Sequence, residues 1–169
     1  RRVVFILRKQ FKRSLYNYRD FFIMPRLPID KIYMQVAYQF AKLSYAERRK
    51  VGSVIVKDEQ IVSFGYNGTP HGFDNSCERL DLSTGDLTTN PEVLHAESNA
   101  LAKLAKSTMS SKGGHLYVTM SPCYQCSKLI IQSGITDVFY SEEYRDKKGI
   151  ELLEKANINV TKVIVWNEF

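Results

Sequence analysis

His95 and Glu97, one residue apart, and Cys123 and Cys126, in C-x-x-C spacing directly after Pro122, are the residues whose types and spacing point to chemistry. Imidazole and thiolate are ligands that zinc prefers, and three protein ligands leave one coordination position open, as in catalytic rather than structural sites. His95, Cys123 and Cys126 supply three. Two thiolates cancel the charge of a zinc ion, so such a centre acidifies water less than one held by three neutral histidines and needs a base beside it. Glu97 is placed to be that base. Each half alone has a plainer reading: C-x-x-C also makes a redox dithiol or half of a structural zinc site, and His-x-Glu also opens ordinary helices.

The elements that must hold these residues follow from periodicity. Ala96, Ala100, Leu101, Leu104 and Ala105 predict an amphipathic helix with His95 and Glu97 in its first turn, ended by Gly113-Gly114. Two residues apart in an ideal helix, side chains point about 200° from one another. The pair therefore converges on one pocket only at the helix start. His115 to Thr119 reads as a strand, and Pro122-Cys123 opens a second helix through Leu129, Ile130 and Ile131 that Ser133-Gly134 ends. Helix starts stabilise thiolates through unpaired N–H groups and the helix dipole.

Upstream, Ile32, Val36, Tyr38, Phe40 and Leu43 predict a helix from Lys31 to about Arg49, with Asp30 as N-cap and the basic cluster Arg48-Arg49-Lys50 at its end. Val51 to Val56 and Ile61 to Tyr66 are β-branched, apolar runs separated by a polar turn, a hairpin signal. Asn67 to about Val93 is long, Gly-rich and polar, and is expected to be a functional or disordered loop. A strand at 137–140, a helix from about Lys147 to Ala156 and a strand from Asn159 to Val165 complete the chain. Helices alternating with strands imply parallel neighbours, so the sheet is expected to be mixed and covered on both faces.

The 169 residues are enough for one core, and residues 25–169 are expected to form a single domain. The whole net charge of +6 resides in the first 24 residues, where seven Arg and Lys face Asp20 alone; the remainder has 17 basic and 17 acidic residues. A formally neutral body argues against a polynucleotide groove, which needs clustered Lys and Arg. Residues 1–24 form a basic extension that reads as an oligomer contact, a membrane-surface helix, an RNA-binding arm or an incidental addition docked loosely on the domain. No apolar run reaches eighteen residues, and three cysteines make no disulfide framework, so a cytoplasmic protein outside the membrane is expected.

Taken together, H-x-E followed by P-C-x-x-C is the mark of zinc enzymes that hydrolyse the amino group from a nucleobase. Beyond it, the sequence resembles the deoxycytidylate (dCMP) deaminase family from about Ile32 to the C-terminus. The resemblance rests on His95-Ala96-Glu97-Ser98-Asn99-Ala100, on the stretch from Ser121 to Ile135, and on Gly65-Tyr66-Asn67-Gly68-Thr69-Pro70, which distinguishes the dCMP branch. It implies a three-layer α/β/α cytidine-deaminase-like fold with a central mixed sheet of about five strands. It also implies one catalytic Zn2+ per chain, conversion of dCMP to dUMP for thymidylate synthesis, and a homohexamer activated by dCTP and inhibited by dTTP, with Mg2+ accompanying the regulatory nucleoside triphosphate. In that reaction Glu97 moves a proton from water to the ring N3 and then to departing ammonia.

On the same resemblance, Asn67 falls where the family binds substrate sugar or base, although Asn before Gly68 is also an ordinary turn. Gly65, Tyr66, Asn67 and Gly68 fall on the motif for the regulatory nucleotide. Ser44 matches a family serine near the substrate phosphate; the basic residue that often follows is Tyr45 here, so Arg48, Arg49 or Lys50 is expected to supply the charge, against the alternative of a solvated helix end. Tyr144 matches a family tyrosine that packs on the base, or else a common surface tyrosine. Cys77 with His71 does not make a second zinc site. The competing functions are a tRNA or free-nucleoside deaminase and a non-catalytic nucleotide-binding module. The neutral body and Gly65–Gly68 count against tRNA, the basic cluster near Lys50 against a free nucleoside, and Glu97 against a module that does no proton transfer.

Overall fold

The computed structural model describes residues 28–165, so the basic extension expected at 1–24 lies outside the described residues. Strands β1 (Gly52–Lys57), β2 (Gln60–Tyr66), β5 (His115–Met120), β6 (Asp137–Glu142) and β7 (Asn159–Lys162) form one sheet in the order β2-β1-β5-β6-β7. β1 runs antiparallel to β2 and to β5, whereas β5, β6 and β7 are parallel, giving the mixed five-stranded sheet expected. The β1–β2 hairpin closes through Asp58 and Glu59 at φ 49° and 61°. Two left-handed residues in a two-residue turn match the right-handed twist of the flanking strands.

Alternation along the strands builds a core on each face. Val54, Val56 and Tyr117 point to helix α1 (Ile29–Ala41), meeting Met34 and Ala37. Ile55, Leu116 and Val138 point the other way, to helices α2 (Ala96–Leu104), α3 (Tyr124–Gln132) and α4 (Lys148–Lys155) through Ala100, Ile130 and Leu153. The central strands β1 and β5 are thus covered on both faces, which is why they read as continuous apolar runs.

Several bounds differ from those expected: α2 ends at Leu104, well before Gly113-Gly114, and β7 ends at Lys162 rather than Val165. Helix α1 ends at Ala41 rather than near Arg49. Gly52 lies against the Ala37 carbonyl and Ala41 with no room for a Cβ, so the chain must return beneath the helix end. A helix continued to Arg49 would stand about 12 Å beyond Ala41, and the three remaining steps span only about 10 Å. Instead Ser44 donates to the Asn67 carbonyl at 2.7 Å and the basic cluster lies on a loop. Asp30 is not the cap either; Pro28 holds that position and Asp30 accepts a 2.7 Å hydrogen bond from the Tyr117 hydroxyl. Within the long loop, β3 (Glu78–Leu80) and β4 (Leu87–Thr89) form an antiparallel ribbon separate from the main sheet.

Candidate metal centre and active-site pocket

Two helix starts facing one another build the centre. His95 and Cys123 both occupy N-cap positions with nearly the same extended backbone, φ −74°, ψ 158° and φ −73°, ψ 166°. Glu97 and Cys126 follow in the first turns of α2 and α3. Because His95 stands outside the helical spiral, the 200° divergence does not apply, and His95, Glu97 and Cys123 line one cavity of about 480 Å³. Helix α2 reaches this position by lying directly on β2: Gly65 abuts the Ala96 carbonyl and Ala100, where a Cβ would collide. Ser53 and Ser63 add hydrogen bonds of 2.8 and 2.7 Å to the carbonyls of Ala96 and Ala100.

His95 Nδ1 lies 3.4 Å from Cys123 Sγ and 3.5 Å from Cys126 Sγ, and all three donor atoms are within 4.8 Å of one another. Tetrahedral zinc with ordinary Zn–N and Zn–S bonds has N···S edges of about 3.6 Å. The separations of His95 Nδ1 from both sulfurs therefore fit the ion. Cys126 and His95 together hold the Cys123 thiol down to about 3, the Cys126 S–H being the larger influence. The Cys126 thiol is pushed up by the Cys123 thiolate first and by burial second. Donation toward the Cys123 thiolate raises His95, against the effect of burial. Glu97 is 4% exposed, and burial pushes its carboxyl up to about 7, suiting a group that both takes and returns a proton near neutrality.

The exposed rim carries both signs of charge, with Arg48, Arg49 and Arg145 alongside Glu78 and Glu143. Arg48, Arg49, Arg145 and Tyr144 line the cavity together with Asn67, Glu78 and Thr89. Arg49 is engaged by Glu142 at 2.5 Å, whereas Arg48 and Arg145 make no ion pair among the described residues. Arg48 Nη1 donates to Thr89 Oγ1 at 3.1 Å, and the Arg145 guanidinium stands 5.8 Å from the Tyr144 ring centroid. Asn67 clamps the basic loop: Oδ1 accepts from Val51 N at 2.8 Å and Nδ2 donates to the Arg49 carbonyl at 2.9 Å. Ser44 does not line the cavity; its buried hydroxyl bridges the Asn67 carbonyl and Ala46 N. Gly65, Tyr66 and Gly68 lie outside the lining as well. Lys103 Nζ covers the Tyr66 ring at 4.8 Å, and Gly68 bridges Leu94 through backbone bonds of 3.1 and 2.9 Å.

Sequence reasoning missed Glu78, Thr89 and Arg145. A Thr84-Gly85 turn before Leu87-Thr88-Thr89 is a hairpin cue in the long loop, and Arg145 directly follows the tyrosine that was singled out. Ser121, also missed, staples the strand ends: its hydroxyl accepts from Tyr144 N at 2.7 Å and its N–H donates to the Glu142 carbonyl at 2.8 Å.

Residues 28–142 match the family model of the cytidine and deoxycytidylate deaminase zinc-binding region. ComE operon protein 2 of Bacillus subtilis is 34% identical over 145 residues, covering 83% of this chain and 74% of that protein. The deoxycytidylate deaminase of Mycobacterium phage D29 is 39% identical over 131 residues, 71% of this chain and 99% of that enzyme. Among solved structures, the dCMP deaminase of cyanophage S-TIM5 in complex with dCMP and dUMP superposes with a TM-score of 0.74 at 46% identity, covering 80% of this chain and 96% of that one.

Proposed function

The chain belongs to the deoxycytidylate deaminases of the zinc-binding cytidine and deoxycytidylate deaminase family, and from that premise we propose that it hydrolyses dCMP to dUMP and ammonia. The observation that carries this reading is a buried Glu97 beside a His95–Cys123–Cys126 donor set in the cavity that Arg48 and Arg145 rim. When bound by these three residues, zinc supplies a Lewis acid and lowers the pKa of water. Glu97 accepts a proton as water adds to C4 and delivers it to N3; it then takes the proton of the new C4 hydroxyl and passes it to the amino group, so that C4=O forms as the C4–N4 bond breaks and ammonia leaves. Burial keeps its carboxyl exchanging protons near neutrality.

At the rim, Arg48 and Arg145, which pair with no carboxylate among the described residues, hold the 5′-phosphate, and Tyr144 packs on the nucleotide. Asn67 contributes by fixing the loop that carries Arg48 and keeps one amide donor and one acceptor for the sugar. The dUMP formed serves thymidylate synthesis, in the cytoplasm. No described helix is long and apolar enough to cross a membrane.

Assembly as a homohexamer with dCTP activation and dTTP inhibition, Mg2+ accompanying the triphosphate, is proposed on the resemblance at Gly65–Gly68. Substrate choice is tested by following ammonia release from dCMP, CMP, dCTP, deoxycytidine and a tRNA anticodon stem, with and without added dCTP or dTTP. Turnover of dCMP well above the others is expected; preference for deoxycytidine or the tRNA stem overturns the reading.

A further inference from the structure

The β3–β4 ribbon has little core of its own, since Leu80, Leu82 and Leu87 are exposed. What fixes it lies at two places. At its base, Asn90 N donates to the Cys77 carbonyl at 2.9 Å and Asn90 Nδ2 to the Ser76 carbonyl at 2.8 Å, next to a buried Cys77. At the cavity, Glu78 accepts from the backbone N–H groups of Glu47 and Arg48 at 3.1 and 3.4 Å, and Thr89 accepts from Arg48 Nη1 at 3.1 Å. Glu78 and Thr89 are direct cross-strand partners. One pair of facing residues therefore grips Arg48 at both its backbone and its guanidinium.

The division of labour between them matters electrostatically. The carboxylate takes the main-chain donors and forms no ion pair with Arg48, while a neutral hydroxyl orients the guanidinium. Arg48 is thus ordered without an ion pair to any carboxylate among the described residues, and its remaining donors are available to an anion in the cavity that it lines. Arg49 shows the contrast, its charge being matched by Glu142. We infer that Glu78 and Thr89 are positioning residues for phosphate recognition: the ribbon presets Arg48 so that the pocket prefers a nucleoside monophosphate to the corresponding nucleoside. This rests on the reading of Arg48 as a phosphate contact.

The test compares full-length wild type with Thr89→Val, Thr89→Ser, Glu78→Gln and Arg48→Ala. It reads kcat and KM for dCMP, and binding of dUMP against deoxyuridine by calorimetry. Thr89→Val is expected to raise KM for dCMP and weaken dUMP about tenfold, the effect of one charge-assisted hydrogen bond, with kcat within about twofold and deoxyuridine binding unchanged. Glu78→Gln acts in the same direction, and Thr89→Ser restores wild-type behaviour. If Arg48→Ala lowers the dUMP preference while Thr89→Val and Glu78→Gln leave it intact, the ribbon's role is refuted and the Arg48 contact stands. If Arg48→Ala itself leaves the preference intact, the phosphate reading falls and this inference with it. Loss of both ligands alike in Thr89→Val and Glu78→Gln also overturns it, because the ribbon would then support the whole pocket.

Discussion

Each of the three metal donors has two jobs, one for the ion and one for its neighbours. His95 Nδ1 faces both sulfurs, and the two cysteines share influence over a single proton, Cys123 held down and Cys126 pushed up. Removing one donor leaves a two-ligand set that does not close a tetrahedral site. Cys126→Ser is accordingly expected to lose zinc, which elemental analysis of the purified variant measures; stoichiometric zinc in that variant would contradict the assignment. Asn67 is proposed to act on the substrate through the backbone it holds. Asn67→Asp keeps the acceptor for Val51 N but turns the donor toward the Arg49 carbonyl into a repelling oxygen, so KM for dCMP is expected to rise about tenfold with a smaller change in kcat. Steady-state kinetics separate the two. At this scale the donors and Glu97 are legible in the sequence because each pair is local, two or three residues apart on one helix start. Glu78 and Thr89 are not, since their meaning arises only once a ribbon pairs them across eleven positions and folds them onto Arg48.

Elements explain the glycines better than motifs do. Gly65 is required because α2 rests on β2 there, and the contact is what delivers His95 and Glu97 to the cavity. Gly68 has open space around its Cβ position and no positive φ. Gly65→Ala is expected to lower stability by about 1–3 kcal/mol and activity with it, whereas Gly68→Ala keeps both, as thermal unfolding and dCMP turnover will show. Equal tolerance at the two sites would mean that the packing of α2 on β2 does not place the centre. On the other face, the Tyr117 hydroxyl is buried and reaches Asp30 in the first turn of α1. Tyr117→Phe should cost about 1 kcal/mol, a few degrees in Tm. The strands and the helices bearing ligands follow from period and β-branching. The early end of α1 does not: Ser44-Tyr45-Ala46-Glu47 carries no local breaker, and the stop comes from the tertiary demand that Gly52 return under Ala41.

For the whole molecule, charge is unevenly distributed along the sequence. All of the net +6 lies in residues 1–24, and the zinc donors, Glu97 and the arginine rim lie in residues 48–145. A protein lacking residues 1–24 is expected to turn over dCMP with unchanged kcat and KM; a loss of either would make the extension part of the active assembly. The mixed sheet sets Asn67 at the end of β2, Cys123 just past β5 and Tyr144 just past β6 around one cavity outside the strand ends. What joins these into one account is the proposal that Glu97 carries the protons beside the three metal donors. The measurement that tests this most directly is dCMP turnover by Glu97→Ala together with its zinc content. Retention of one zinc per chain with turnover reduced by ~10²–10⁴ is the expected result; near-wild-type turnover in that zinc-bearing variant would contradict it.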